Sequence, residues 1–303
     1  SSRRGSMVRK ILVALDGSPA SESAVRMVEL LLRSVDAEIC LLTVTPHESL
    51  REEQFGRAYL DGVAQAIRGK GAVVDTAVRP GPVPSTIVDT AIEGGFDLIL
   101  LCSHGRGPRK MVMGGVARDI LRISPVPSIV VRPEWKESIR RIVVPLDGSH
   151  RSETVLPMAA PLARAMAAEV SLLTVMPGDA KGQLLPSEVI AANLERADRW
   201  LQGEGIERTI EIRYGDPAKE ILNFVGEDDL VAMSTHGRTG IGRIRYGSVA
   251  EKVMRRTGRP LLMLRTAAIP KRYRLRLAGT LRRTNAVLHD LERGPSRSPY
   301  SSH

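Results

Sequence analysis

Short apolar runs alternate with longer amphipathic segments through the first half of the chain. Val25, Val28 and Leu32 place an apolar stripe on the first amphipathic segment, which would open with Ser18 as N-cap and Pro19 at the first helical position. Alternation of this kind is typical of a parallel α/β sheet. We predict further helices at residues 50–69, 84–93 and 115–123, and strands at residues 11–15, 38–44, 72–78, 97–101 and 128–131.

The same pattern returns in the second half of the chain. The segment RKILVALDGS, from Arg9, and the segment RRIVVPLDGS, from Arg140, agree at seven of ten positions, and LLTV follows both. Matching blocks in the same order indicate a duplicated domain. We predict domains at 7–133 and 139–266 and a basic tail at 267–303, with the strands of the second domain starting near Ile142, Glu169, Thr209, Asp229 and Leu261.

Both copies place an acidic residue and a glycine-rich loop where a ligand would bind. Right-handed crossovers make each copy a doubly wound, Rossmann-like sheet of five parallel strands. Ligands bind such sheets beyond the carboxyl ends of the strands. Asp16 and Asp147 end the first strand of their copies, and the glycine-rich loops follow the fourth. A carboxylate can accept from ribose hydroxyls or the adenine amino group, and loop amides can donate to phosphates, so the crevice suits a nucleotide.

In the second copy the glycine-rich loop ends where a helix is predicted to start. Nine residues separate Gly237 from Gly247, and Ser248 stands at the start of that helix. Helix N-termini bind anions, glycine lets the backbone approach them closely, and Arg238 adds positive charge. The loop is neither a Walker A motif nor a GxGxxG motif after the first strand. The alternative is a glycine-rich surface turn that binds nothing.

Charge and composition narrow the range of partners. The net charge is +10, but residues 271–303 hold eight Lys and Arg against two Asp and Glu, and aromatic residues make up only 3% of the chain. A basic tail without aromatic stacking platforms is typical of a solvated extension, so nucleic acid is not expected as a partner. Because the sequence has no membrane-spanning apolar run and no signal-peptide region, we expect a cytoplasmic protein.

The remaining reactive residues have plainer interpretations. His104 and His236 are interpreted as loop-shaping residues, and because no nucleophile with an orienting carboxylate accompanies them, we predict no catalytic residue. The acidic run at 227–229 precedes a strand and is interpreted as a solvated turn rather than a metal site. Cys102 is interpreted as a small thiol at the edge of the core.

With these motifs, each half resembles the universal stress protein family, over about 7–133 and 139–266. Nucleotide-binding members of that family carry G-x-x-G, nine residues and then G-S or G-T after the fourth strand, together with an Asp at the end of the first strand. The second copy is similar, with Ser234 at the position of the first glycine. The resemblance implies ATP, or another adenine nucleotide, as the bound cofactor, with or without Mg.

By this resemblance, the second copy provides the main binding residues. Asp147 would contact the ribose or adenine side, the backbone of Val175 would hold the adenine edge, and Gly215 would line the same crevice. The phosphates would be cradled by Ser234, Gly237, Gly247 and Ser248, within a candidate set that also includes His236, Arg238, Gly240 and Val249.

The first copy departs further from the family motif. Cys102 stands at the first glycine, only eight residues separate Gly105 from Gly114, and Gly115 replaces the serine. One lost charge-assisted hydrogen bond is worth roughly 1.5–3 kcal/mol, about ten- to a hundredfold in affinity. We therefore predict weaker nucleotide binding in the first copy, whose candidate residues are Asp16, Val44, Gly105, Arg106, Gly114 and Gly115.

The resemblance also implies a function and a mode of assembly. We expect an adenine-nucleotide-binding stress-response or signalling protein that is non-catalytic or a very slow ATPase. A nucleotide-free interaction module and an adenylate-transferring enzyme are the alternatives. The family dimerises through its fifth strand, so the apolar fifth strands, near 126–131 and 260–264, would pair within the chain as a pseudo-dimer. A homodimer of two chains is left open.

Overall fold

The two halves repeat one order of elements. The computed structural model describes residues 8–103, 113–176, 178, 188–235 and 247–265. The first half contains β1 (Lys10–Ala14), α1 (Ser23–Leu32), β2 (Glu38–Thr45), α2 (Leu50–Arg68), β3 (Val74–Pro80), α3 (Val83–Glu93), β4 (Leu98–Cys102), α4 (Gly115–Ile123) and β5 (Ser128–Val131). The second half contains β6 (Arg141–Pro145), α5 (His150–Glu153), α6 (Leu156–Met166), β7 (Glu169–Met176), α7 (Glu188–Gly203), β8 (Arg208–Tyr214), α8 (Pro217–Phe224), β9 (Asp229–Thr235), α9 (Ser248–Arg256) and β10 (Leu261–Arg265).

The strands of both halves form one ten-stranded sheet. Its order is β3-β2-β1-β4-β5-β10-β9-β6-β7-β8, so each half has the doubly wound arrangement in which the first strand lies in the middle. The strands within each half are parallel, whereas β5 and β10 pair antiparallel, with Val130 opposite Leu261. The predicted fold class, an α/β protein with two doubly wound halves in tandem, is confirmed, and the two predicted sheets join into one through β5 and β10.

The sheet is covered by helices on both faces, which explains why its central strands are apolar without alternation. In β1, Ile11 and Val13 point into one core cluster and Leu12 into the other, and all three are fully buried. The first cluster includes residues of α1, α2, α6 and α7, and the second includes residues of α3, α4, α8 and α9. Because each cluster draws on both halves, the two halves share both helical layers.

Most predicted elements begin and end within two residues of the observed ones, but the predicted start of the first helix was wrong. Helix α1 begins at Ser23, after Glu22 as N-cap, and not at Pro19. The hydroxyl of Ser18 donates to Asp16 Oδ1 at 2.6 Å and accepts from the amide of Ser21 at 3.2 Å. These contacts stabilise a tight turn after β1, and residues 19–22 form further turns before the helix starts.

Several predicted features lie outside the described residues. They include the basic tail at 267–303 and most of both glycine-rich loops, at 104–112 and 236–246. None of the described helices is long and apolar enough to cross a lipid bilayer.

Candidate functional site

The second half opens a crevice at the carboxyl ends of β6, β7 and β9. Its cavity, of about 280 Å³, borders the start of α9. Six of the predicted binding residues line it together, namely Asp147, Val175, Ser234, Gly247, Ser248 and Val249. The rest of its described wall is mainly apolar, from Pro145, Leu146, Leu173, Pro217, Ile221, Met233 and Ala250, with the hydroxyl of Ser152. The strand ends and the helix start therefore converge as the topology requires.

Asp147 is held in a local turn at the mouth of this crevice. Its Oδ1 accepts from the amide of Ser149 at 3.0 Å and from the hydroxyl of Ser149 at 2.6 Å. Ser149 in turn caps α5, since its Oγ accepts from the amide of Ser152 at 3.3 Å. Asp147 is exposed to solvent. The short turn thus fixes the carboxylate at the strand end and leaves it accessible from the crevice.

The opposite side of the crevice is the start of α9. Gly247 is the N-cap residue, and among the described residues no side chain caps the helix. The first amides of a helix have no intrahelical acceptor, so the start of α9 attracts an anion. Gly247 has φ of −57°, which any residue can adopt, and a Cβ there would meet no described atom within 4 Å. Its backbone conformation does not require glycine, whereas close approach by a ligand would.

Two predicted residues behave differently from the others. Ser234 lines the cavity, but its hydroxyl donates to the carbonyl of Arg151 at 2.6 Å and so ties the end of β9 to α5. Gly215 is not among the described residues that line the cavity. Its amide donates to the carbonyl of Met176 at 2.9 Å, and its φ of +134° favours glycine. Gly215 therefore extends the pairing of β8 with β7 at the turn into α8.

The first half has a corresponding crevice, with a cavity of about 730 Å³. Asp16, Val44, Gly114 and Gly115 all line it, and Asp16 makes the same turn with Ser18 as Asp147 makes with Ser149. The larger described cavity thus belongs to the copy whose loop departs further from the family motif.

Ser103 is a residue of the first crevice that the sequence reasoning missed. Its Oγ accepts from the amide of Gly114 at 2.8 Å, so one of the amides expected to face a phosphate already has a partner. The available signal was a hydroxyl-bearing residue before the loop histidine in both copies, Ser103 and Thr235.

Burial makes the cysteine of the first crevice a poor nucleophile. Loss of hydration raises the pKa of the Cys102 thiol to about 12, with a further contribution from the nearby charge of Asp16. Burial likewise raises the pKa of Cys40 to about 11. Both side chains are therefore protonated thiols near neutral pH, which agrees with a packing role for Cys102.

The acidic run before β9 is not a solvated turn at its last residue, so that part of the prediction was wrong. Asp229 is 4% exposed and accepts from Arg141 Nη2 at 2.6 Å and Nε at 3.1 Å. It also accepts from the amide of Gly226 at 2.7 Å. The partner is 88 residues away in sequence, so local patterning did not reveal it. Glu227 pairs with Lys136 instead. Within the described ranges, no group of three His, Cys, Asp or Glu side chains is placed to hold a metal ion.

The central parts of both loops lie outside the described residues. The candidate residues concerned are His236, Gly237, Arg238, Gly240, Gly105 and Arg106, with His104 and the arginines that follow.

Two doubly wound halves, each with a crevice between a strand-end aspartate and a helix start, define a tandem Rossmann-like α/β protein. The sequence model of the universal stress protein family matches residues 7–132 and 138–265. The chain belongs to the universal stress protein family.

Individual relatives agree with this assignment. Universal stress protein Rv2623 of Mycobacterium tuberculosis is 26% identical over 297 residues, covering 84% of this chain and 96% of its own length. Universal stress protein MJ0531 of Methanocaldococcus jannaschii is 31% identical over 140 residues, covering 42% of this chain and 82% of its own. A universal stress protein of Archaeoglobus fulgidus has the same fold, with a TM-score of 0.67, 22% identity and coverage of 85% of this chain and 98% of its own.

Proposed function

We propose that this chain is a stress-response or signalling protein whose second half binds an adenine nucleotide, with ATP as the expected form. The observation that carries the proposal is the convergence of Asp147, Val175 and the start of α9 on one cavity. A carboxylate suits ribose hydroxyls or an adenine amino group, a strand-end backbone suits the adenine edge, and helix amides suit phosphate.

The same geometry favours binding over chemistry. Among the described residues that line the second cavity, Asp147 is the charged side chain, and the others present hydroxyls, backbone groups and apolar surface. A general base would need to lie within hydrogen-bond reach of an attacking water. We therefore propose that the protein is non-catalytic or a very slow ATPase, and that binding of the nucleotide, rather than its hydrolysis, has the functional effect. A divalent cation such as Mg would be recruited by the phosphates.

The first half is proposed to bind nucleotide more weakly, or not at all. Gly115 lacks the hydroxyl that Ser248 offers at the matching helix start, and the amide of Gly114 already donates to Ser103. The engaged amide also favours the second candidate function, a nucleotide-free interaction module, for this half. Because the first half has the larger cavity, of about 730 Å³, cavity volume alone would predict the opposite order of affinity.

We further propose that the two halves act as a pseudo-dimer within one chain. The pairing of β5 with β10 supports this, as do two reciprocal arginines. Arg132 is 3% exposed and donates to the carbonyl of Thr257 at 3.0 Å in the other half, and Arg265 donates to the carbonyl of Ile123 at 3.1 Å. A cytoplasmic location and any homodimer of two chains stay predictions.

Calorimetric titration of ATP into the full chain tests the proposed site. Ser248→Ala should weaken binding by about ten- to a hundredfold, because a charge-assisted hydrogen bond is worth roughly 1.5–3 kcal/mol. Gly115→Ser, the reverse change at the matching position of the first half, should leave that strong binding unchanged.

Asp16→Ala is the matched control for Asp147→Ala. Loss of strong binding in Asp16→Ala with none in Asp147→Ala would move the site to the first half. Absence of both binding heat and a thermal shift with ATP, ADP and AMP would support the nucleotide-free interaction module instead.

A further inference from the structure

A partly buried polar cluster connects α7 to the turn that carries Asp147. We refer to Glu153, Asn193 and Arg196 as the α7 cluster. We propose that these three side chains are positioning residues, which hold the backbone at 147–149 in the geometry that the second crevice needs. The inference rests on the proposed nucleotide site and names residues that would control it without touching the ligand.

The central member of the cluster is a buried carboxylate. The side chain of Glu153, at the end of α5, is 1% exposed. Arg196 of α7 donates to it twice, from Nη2 to Oε1 at 2.6 Å and from Nε to Oε2 at 3.3 Å. His150 Nδ1 lies 3.4 Å from Oε2. Burying a carboxylate is costly unless it is paired in good geometry, so Glu153 fixes the position of Arg196 and, with it, of α7.

Asn193 connects Arg196 to the turn by hydrogen bonds. Its Oδ1 accepts from Arg196 Nη2 at 2.6 Å, which orients the amide, and its Nδ2 donates to the carbonyl of Gly148. Gly148 directly follows Asp147 and has φ of +77°. Ile190 packs at the same place, since a Cβ on Gly148 would lie 2.7 Å from Ile190 Cγ1. The turn is therefore held from α7 by a hydrogen bond and a close packing contact.

The first half has the turn without the cluster. Gly17 follows Asp16 with φ of +78°, yet a Cβ on it would meet no described atom within 4 Å. Glu22, which aligns with Glu153 in the repeat, is exposed. The hydrogen bonds that the serine donates to the aspartate are the same in both halves, at 3.0 and 2.6 Å. The α7 cluster is thus a difference between the two crevices at a turn where their sequence motifs are identical.

Hydrogen–deuterium exchange on the full chain without nucleotide tests the positioning directly. Asn193→Ala removes the donor to Gly148 and leaves the pair of Glu153 with Arg196 in place. We expect amides at 148–152 to exchange about tenfold faster in this variant. Asn193→Asp keeps the acceptor for Arg196 but loses the same donor, so it should give the same result if the alanine variant folds poorly.

Asp198→Ala is the control on the same helix. Asp198 pairs with Arg208 of β8 at 2.7 Å, and none of its described polar contacts is with the turn, so amides at 148–152 should exchange as in the wild type. Equal exchange in Asn193→Ala and Asp198→Ala would overturn the proposal.

ATP titration into the wild type, Asn193→Ala and Asp198→Ala tests the consequence for the site. The Kd should rise about three- to tenfold in Asn193→Ala and stay unchanged in Asp198→Ala at the same thermal stability. Faster exchange with an unchanged Kd would refute the positioning role. Absence of binding in the wild type would instead refute the proposed function, and the exchange data would then decide alone whether the cluster orders the turn.

Discussion

Gly17 and Gly148 occupy the same turn in the two halves and form a matched pair for a stability measurement. Both have positive φ, +78° and +77°, so alanine is strained at either position. Their surroundings differ, because only the Cβ on Gly148 would approach a neighbour, Ile190 Cγ1, at 2.7 Å. Comparing Gly17→Ala with Gly148→Ala therefore separates backbone strain from packing.

The expected magnitudes follow from these two terms. Left-handed backbone costs an alanine about 1–2 kcal/mol, offset by about 0.4–1 kcal/mol from the reduced entropy of the unfolded chain. We expect Gly17→Ala to lower the free energy of unfolding by about 1 kcal/mol. Overpacking adds typically about 1–3 kcal/mol, so Gly148→Ala should lower it by about 2–4 kcal/mol.

Urea unfolding followed by tryptophan fluorescence provides the measurement. Trp200 lies in α7, on the helix that packs against Gly148, and the second tryptophan, Trp135, lies buried in the segment that joins the halves, so the emission reports on both. The cycle is completed in an Ile190→Ala background, which removes the crowding atom. There the two glycine variants should differ by less than about 0.5 kcal/mol, because only the shared strain is left. A difference that persists in the Ile190→Ala background would show that α7 does not press on the turn.

Three further predictions concern other parts of the chain. Cys40 and Cys102 should be alkylated at pH 8 at least about a hundredfold more slowly than a free thiol, since each unit of raised pKa cuts the thiolate tenfold, and a rate near that of glutathione would contradict this. Arg132→Met and Arg265→Met should each lower the stability by about 1–3 kcal/mol, by calorimetry, through the lost contacts between halves; an unchanged Tm in both would argue against a buried interface. Asp229→Asn should lower the stability by a similar amount. This effect should vanish in a variant in which its partner Arg141 is also replaced.

The central strands of the sheet were predictable from sequence because their residues are buried on both faces. A strand such as β5, at Ser128–Val131, is a short apolar run between prolines, and its predicted and observed limits coincide. The acidic strand end and the helix start at Ser248 could also be predicted from neighbouring residues, since both follow from the repeat and from capping rules.

The features that escaped prediction depend on partners distant in sequence. Glu153 meets Arg196 across 43 residues, and Asn193 meets Gly148 across 45. Neither contact leaves a periodic signal, because a polar residue on a helix is ordinarily exposed. The late start of α1 is not explained by the hydroxyl contacts of Ser18, because Ser149 makes the same contacts in the second half and caps a helix there.

The antiparallel join of β5 and β10 has a consequence for how this chain can vary. In an assembly of two identical subunits, any substitution alters both crevices at once, because one codon specifies both. Here each position is encoded twice, so Gly115 and Ser248 can differ while the register of Val130 with Leu261 is kept. The covalent link also holds the halves at a high effective concentration, so their association does not weaken on dilution. One chain can therefore carry two unequal sites at any cellular abundance.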